Sequence, residues 1–212
     1  NELALRVKRA KDLFLIIGPP GTGKTSFGML NTVKEELLER DSSVLLLSYT
    51  NRAVDEICSK LHKEGIDFIR VGSTLNCAAE YRGYLLAERA RRCANLAELR
   101  TMLETARVYV GTTTAFTSNI ALLKIRQFSL AVIDEASQIL EPHLIGLLSA
   151  CEGEVPAIQK IVMIGDHKQL PAVVQQTQAQ SAVRETVLRD ILLTDCRLSL
   201  FERLLKRYRD DE

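Results

Sequence analysis

Several features that mark particular kinds of protein are missing from this sequence. Basic and acidic side chains nearly cancel, with 28 Lys and Arg against 27 Asp and Glu. No overall basic field therefore points to a nucleic-acid partner, and any such binding needs a local groove. No apolar run approaches about 18 residues and no signal-peptide pattern opens the chain. Membrane insertion and secretion are therefore unsupported, and we expect no membrane partner.

Cysteine is scarce and scattered. The chain has no C-x-x-C pair and no histidine at ligand spacing from a cysteine, so neither a zinc site nor a redox motif is indicated. We expect reduced, mostly buried thiols in a cytoplasmic or nuclear protein. The five thiols are Cys58, Cys77, Cys93, Cys151 and Cys196.

What the sequence does contain is a regular alternation of short apolar runs and helix-compatible stretches. With 212 residues, 46% of them hydrophobic, the chain can bury a sizeable core, as one large α/β domain or two small ones. Five to seven short apolar segments separated by helical patterns predict an α/β fold with one mostly parallel sheet flanked by helices. The clearest predicted strands are 13–17, 44–48, 68–72, 108–111, 130–133 and 161–165.

The first predicted strand, which we expect to be buried on both faces, leads into a phosphate-binding loop. Residues 18–25 match G-x-x-x-x-G-K-[ST] at every fixed position and precede a helical pattern. Gly21 and Gly23 allow backbone N–H groups to reach a phosphate, Lys24 supplies charge, and the Thr25 hydroxyl suits Mg²⁺. The alternative is an ordinary Gly-Pro turn. The predicted ATP-binding residues here are Gly18, Pro19, Pro20, Gly21, Thr22, Gly23, Lys24, Thr25 and Ser26.

Two adjacent carboxylates follow the apolar strand 130–133. Asp134 is predicted to bind ATP through its Mg²⁺, as the second protein ligand of the metal beside Thr25, and Glu135 to polarise the water that attacks the γ-phosphate. As a bare pair, Asp-Glu is more often a helix N-terminus. After a complete phosphate loop and an apolar strand, the catalytic interpretation is favoured, with Lys24 as a second catalytic residue.

A polar loop follows the strand 161–165. Its Gln169 can reach the γ-phosphate or the attacking water with a neutral amide, so it is predicted to be both ATP-binding and catalytic. The alternative is a polar connection closed by Pro171.

The segment 73–107 interrupts the alternation of strands and helices. It predicts two helices, near Ala78–Arg92 and Leu96–Ala106, which form a helical insertion within the domain. A solvated insertion is favoured over a nucleic-acid-contacting surface, because charged helix faces are usually solvated.

Taken together, these motifs resemble the first RecA-like motor domain of a superfamily 1 helicase. The nearest branch contains the RNA-surveillance up-frameshift helicase and the replication-associated nuclease-helicase. The resemblance covers nearly the whole chain, 1–212, and the phosphate loop alone would not separate this branch from AAA+ proteins. It rests on the segments 134–138 (DEASQ), 165–171 (GDHKQLP) and 199–204 (SLFERL), with 48–55 and 110–114 resembling the family's motifs along the nucleic-acid track.

The resemblance implies a RecA-like P-loop NTPase fold, the use of ATP and Mg²⁺, and single-stranded DNA or RNA as a partner. It places Thr50, Asn51, Thr112 and Thr113 on the nucleic-acid backbone, with Pro171 on the same track. The family's second RecA-like domain, which carries the arginine fingers, would begin after Tyr208 as a further partner. A fragment without it is expected to bind ATP but hydrolyse it poorly.

Two departures and two other functions stay open. The family's adenine-reading glutamine would align near Asn1, and Arg203 belongs to the SLFERL segment and is not expected to be an arginine finger. The alternative functions are an AAA+-like ATPase that remodels proteins and a nucleotide-binding scaffold without motor activity.

Overall fold

A computed structural model describes residues 2–18, 28–166, 168, 172 and 174–208. The strands are β1 (Leu13–Ile17), β2 (Val44–Ser48), β3 (Ile69–Val71), β4 (Val108–Thr112), β5 (Leu130–Ile133), β6 (Cys151–Glu152), β7 (Val155–Pro156) and β8 (Ile161–Gly165). The helices are α1 (Glu2–Arg9), α2 (Leu30–Glu36), α3 (Asn51–Lys63), α4 (Leu86–Ala90), α5 (Leu96–Thr105), α6 (Thr113–Thr117), α7 (Leu122–Ile125), α8 (Pro142–Leu148), α9 (Gln178–Ser181), α10 (Thr186–Asp190) and α11 (Leu200–Arg207).

Within the described ranges, six strands form one parallel sheet in the order β1-β8-β5-β2-β4-β3, while β6 and β7 make a separate antiparallel pair. Alternate residues of the sheet contribute to two apolar clusters, one on each face. Leu45 and Leu47 point to the face covered by α6, α8 and α11, and Val44 and Leu46 to the face covered by α1, α2 and α3. The α/β architecture expected for a RecA-like domain is confirmed.

The position of β1 differs from the prediction. This strand was expected to be buried on both faces, but among the described residues it pairs only with β8, which places it at the edge of the described sheet. Its first three residues are half-buried and Ile17 is 55% exposed. An apolar run of five residues is compatible with either place, because periodicity does not report the order of strands in a sheet.

The prediction of a first insertion helix near Ala78–Arg92 is wrong. The chain there forms a 3₁₀ segment, Ala79–Tyr84, followed by the short helix α4. Between them Leu85 is fully buried with an extended backbone, and it forms a parallel bridge with Arg70 of β3. Leu85 therefore pairs with β3 and does not adopt a helical conformation. The second helix predicted in this segment, near Leu96–Ala106, is confirmed as α5.

The cysteines are less buried than expected. Cys58 and Cys77 are buried, Cys93 and Cys196 are half-buried, Cys151 is exposed, and all five are free thiols. Among the described residues, no helix is both long and apolar enough to cross a membrane.

The thiols should react in two classes. Burial raises the pKa of Cys58 to about 12, outweighing the nearby Arg70 guanidinium, and burial also raises the pKa of Cys77. Since the thiolate is the reactive form, iodoacetamide at neutral pH should label Cys151 first and leave Cys58 and Cys77 unlabelled until the protein is unfolded in urea. Peptide mass spectrometry of native and unfolded samples measures this. Labelling of native Cys58 as fast as Cys151 would contradict the burial described here.

Candidate functional site

The carboxyl ends of β1, β8 and β5 lie side by side and bring the predicted nucleotide-site residues together. Gly18, the first residue of the predicted phosphate loop, donates its N–H to the Gly165 carbonyl at the end of β8 (3.3 Å). Asp166 follows β8, and Asp134 follows β5. In open parallel sheets ligands bind outside the carboxyl ends of the strands, so a nucleotide site is expected at this end of the sheet, which is called the carboxyl edge below.

Several predicted site residues lie outside the described part of the chain. They remain predictions from the sequence. They are Pro19, Pro20, Gly21, Thr22, Gly23, Lys24, Thr25, Ser26, Gln169 and Pro171.

Two buried carboxylates stand at neighbouring strand ends. Asp134 is 5% exposed, its N–H donates to the Leu47 carbonyl (2.8 Å), and its Oδ1 accepts the N–H of Glu135 (3.0 Å). Asp166 is 7% exposed, and its N–H donates to Ser137 Oγ (3.3 Å). The register of the sheet and the turn after β5 therefore hold both acidic residues at the same end of the sheet as Gly18, the first residue of the predicted phosphate loop.

Glu135 has an unusual backbone and an unusual environment. Its φ of 54° and ψ of 34° lie in the left-handed region, which is uncommon for residues other than glycine. Burial raises the pKa of its carboxyl group, the neighbouring Asp134 and Glu56 raise it further, and a hydrogen bond from Ser48 Oγ (3.4 Å) opposes the shift. Strained backbones and raised carboxyl pKa values cluster at functional sites, so both observations favour a chemical role for Glu135.

The residues at this edge fit magnesium. Within the described ranges, no group of three or more His, Cys, Asp or Glu side chains could hold a metal by itself. Mg²⁺ is commonly bound by one or two protein oxygens, with substrate phosphates and water completing its shell. A buried Asp134, with the predicted Thr25 hydroxyl, supplies such oxygen ligands and no sulfur or imidazole that would favour zinc.

A second concave site lies at the other side of the same edge, after β2, β3 and β4. This groove has a volume of about 720 Å³. Asn51 and Thr112, both predicted to contact nucleic acid, line it. Its full lining is Tyr49, Asn51, Val71, Gly72, Ser73, Asn76, Leu86, Ala87, Thr112, Thr114, Ala115, Ser118 and Asn119.

The two remaining described nucleic-acid candidates do not line the groove. Thr50 is exposed, and its hydroxyl caps α3 by accepting the Ala53 N–H (3.2 Å). Thr113 is only 1% exposed, so its side chain is covered by the fold, and the neighbouring Thr114 is the exposed hydroxyl instead. The contact of Thr113 with nucleic acid stays a prediction, and its hydroxyl is not accessible in the structure described here.

The sequence reasoning missed the contribution of the segment 73–107 to this groove. Ser73 and Asn76, at the start of that segment, and Ser118 and Asn119, after α6, all line it. Ser73 directly follows Gly72 at the carboxyl end of β3, so the rule that ligands bind beyond strand ends could have identified it.

The family model described as AAA domain matches residues 1–175. The chain belongs to this AAA domain family. Within that assignment it is 40% identical over 180 residues to the DNA replication ATP-dependent helicase/nuclease JHS1 of Arabidopsis thaliana, covering 85% of this chain and 12% of that protein. It is 34% identical to the DNA replication ATP-dependent helicase/nuclease DNA2 of Xenopus laevis, over 82% of this chain and 16% of that protein.

These relatives confirm that the AAA domain of this chain is homologous to the helicase-nuclease branch that its motifs resemble. The chain spans only about 12 to 16% of the length of these relatives. A solved structure titled as a complex of arterivirus nonstructural protein 10 (helicase) with DNA matches with a TM-score of 0.48 and 19% identity, over 81% of this chain and 32% of that one.

Proposed function

We propose that this chain is the ATP-binding and hydrolysing motor domain of a helicase or translocase that acts on single-stranded DNA or RNA. The observation that supports this most directly is the meeting of Gly18, Asp134, Glu135 and Asp166 at one edge of a parallel sheet. The proposal takes residues 1–212 as the first RecA-like domain and 73–107 as an insertion in it.

In the proposed active site, the backbone and Lys24 of the phosphate loop bind the nucleotide phosphates. Thr25 and Asp134 hold Mg²⁺, which when bound neutralises charge on the phosphate oxygens. Glu135 accepts a proton from the attacking water, a task suited to a carboxylate whose pKa is raised by burial. Gln169 orients the same water or contacts the γ-phosphate.

In the proposed nucleic-acid site, uncharged side chains bind the strand. The groove is lined by hydroxyl and amide groups, including Asn51, Ser73 and Thr114, and no Lys or Arg appears among its described lining residues. Such groups bind phosphate and sugar oxygens without reading the base sequence. Tyr49 is 42% exposed at the same place and offers a ring for stacking.

The experiment that tests the function measures Mg-ATP hydrolysis by the full-length protein, with and without single-stranded DNA or RNA. Stimulation by either nucleic acid is expected. The names of the relatives make DNA the first choice of substrate. Nucleotide binding without hydrolysis under all conditions would contradict the motor function and favour a scaffold.

Two groove variants test the nucleic-acid part separately. Asn51→Ala and Thr114→Ala each remove one polar side chain from the groove, and loss of one hydrogen bond should weaken binding of a fluorescent single strand about threefold to tenfold. The salt dependence of binding should barely change, because neither variant removes a cation. Thr101→Ala, on the exposed face of α5, is the matched control. Equal affinities for all three variants would remove this groove from the proposal.

The second candidate function, an AAA+-like ATPase that remodels protein partners, takes support from the description of the family as an AAA domain. The names of the relatives favour the helicase proposal over it. Stimulation of hydrolysis by unfolded proteins, but not by nucleic acid, would reverse this preference. In the helicase proposal, a second RecA-like domain supplies the arginine fingers, and the protein acts in the nucleus or cytoplasm.

A further inference from the structure

The last described helix, α11, is held to the nucleotide-site edge by a buried ion pair. Arg203 is 8% exposed and Glu141, in the segment that follows the Asp134–Gln138 turn, is 5% exposed. Arg203 Nε and Nη2 donate to the two carboxylate oxygens of Glu141, at 2.7 and 2.5 Å. Its Nη1 donates to the Ile191 carbonyl (2.9 Å). The guanidinium thus joins three segments that are distant in sequence.

The same helix presses a ring against the end of β8. Phe201 is fully buried, and a Cβ added to Gly165 would lie 2.9 Å from this ring. That Cβ would also lie 3.0 Å from the backbone nitrogen of Ser137. The end of β8, the turn after β5 and α11 therefore meet at a point where only a glycine fits.

Ser137 connects this packing to the acidic residues. It follows Glu135 by two positions, and its hydroxyl accepts the N–H of Asp166 (3.3 Å). A further bridge joins Leu140 to Ser199, and Ser199 caps α11 through a reciprocal pair of hydrogen bonds with Glu202. The turn after β5 and the end of β8 therefore contact each other, and both also contact α11.

All three guanidinium nitrogens of Arg203 donate hydrogen bonds within the fold. Nε and Nη2 donate to the Glu141 carboxylate and Nη1 donates to the Ile191 carbonyl, which agrees with the expectation that Arg203 is not an arginine finger. A buried ion pair adds little net stability compared with well-packed apolar side chains, because desolvation of both charges offsets their attraction. Its value in such a place is geometric, since the bidentate pairing fixes one orientation.

We propose that α11 is a positioning element for hydrolysis, in which Phe201 and Arg203 hold the turn that carries Asp134 and Glu135 against the turn that carries Asp166. The inference rests on the proposed ATPase function and adds a role for residues that contact no reacting atom. A shift of about 1 Å at a catalytic group can cost on the order of 10²-fold in rate. The predicted phosphate-loop ligands follow β1, which α11 does not contact through these bonds, so nucleotide binding should be affected less than the chemical step.

The test measures steady-state ATP hydrolysis by the full-length protein and by its variants Arg203→Met, Arg203→Lys and Glu141→Gln. Arg203→Met should lower kcat about tenfold to a hundredfold while KM for ATP stays within about threefold, the signature of an interaction realised in the chemical step. Arg203→Lys keeps the charge and should recover part of kcat. Assays are run well below each variant's unfolding temperature, and circular dichroism checks the fold.

The matched control is Arg107→Met. Arg107 also donates several hydrogen bonds, to the carbonyls of Leu37, Glu39 and Ser42, but at the amino-terminal end of the sheet. It should keep the wild-type kcat. If Arg203→Met does not fold, Phe201→Leu replaces it, because leucine keeps an apolar contact with Gly165 while removing the ring.

The outcomes separate the two proposals. A wild-type protein without ATPase activity overturns the proposed function itself. An active wild type with an unchanged kcat in a folded Arg203 or Phe201 variant overturns the positioning role alone. So does a loss of kcat equal to that of the Arg107 control, because that would show a general effect of lost stability.

Discussion

Replacing Glu135 with glutamine is expected to lower the rate of ATP hydrolysis by about 10²–10⁴-fold while leaving nucleotide binding intact. The amide has the shape of the carboxylate but cannot accept a proton from water. The Ser48 hydroxyl that donates to Glu135 can donate equally to the amide oxygen, so the side chain should keep its place. Single-turnover hydrolysis and binding of a fluorescent ATP analogue measure the two effects separately.

The same variant should keep or gain stability at neutral pH. Burial and Asp134 raise the pKa of Glu135 in the folded protein above its value in the unfolded chain. The folded state therefore binds this proton more tightly, and the resulting stability is lost as the pH rises through the folded pKa. Glutamine mimics the neutral form at every pH. Glu154→Gln, on the exposed hairpin of β6 and β7, is the control for both assays. Wild-type turnover by Glu135→Gln would end the assignment of Glu135 as the base.

Replacing Asp55 with asparagine is expected to cost about 3–5 kcal/mol of folding free energy. Its partner is Arg70, whose side chain is only 1% exposed and forms an ion pair with Asp55. Arg70 also donates to the Asn76 carbonyl (2.7 Å), while its Nε has no hydrogen-bond partner among the described residues. Without the carboxylate, the guanidinium is left as a buried charge with no compensating anion.

The reverse substitution, Arg70→Met, should cost clearly less. The Asp55 side chain is 25% exposed, so it can be hydrated after its partner is lost. Methionine also removes the unpaired Nε donor and fills apolar space. Urea unfolding of both variants measures the two losses of stability. Arg52→Met is the control, because Arg52 is exposed on α3, the helix that carries Asp55. A larger loss for Arg70→Met than for Asp55→Asn would contradict this account of the pair.

The sequence predicts the elements of this fold well because its main signals are local. Each of the six described strands in the parallel sheet comes from a short apolar run. The errors concern long-range information. The edge position of β1 depends on strand order, and the break at Leu85 depends on a bridge to Arg70. Neither is visible in the periodicity of one segment.

The site divides in the same way. Asp134 and Glu135 follow a strand and are predicted by their position in the sequence. The left-handed backbone of Glu135 is not, since glutamate has no preference for that region. Thr112 ends β4 and Thr113 begins α6, yet only Thr112 lines the groove, because the start of α6 turns Thr113 inward.

The pairing of β1 with β8 has a consequence for how this domain is made. A ribosome delivers β1 before the other strands of the described sheet, but the partner of β1 in that sheet ends at Gly165. Until that residue has left the exit tunnel, β1 has no neighbour to bind, and the Gly18 N–H has no Gly165 carbonyl to meet. The first strand of the described sheet to be synthesised is thus the last to be paired. We expect the proposed nucleotide site to form only after β8 has emerged.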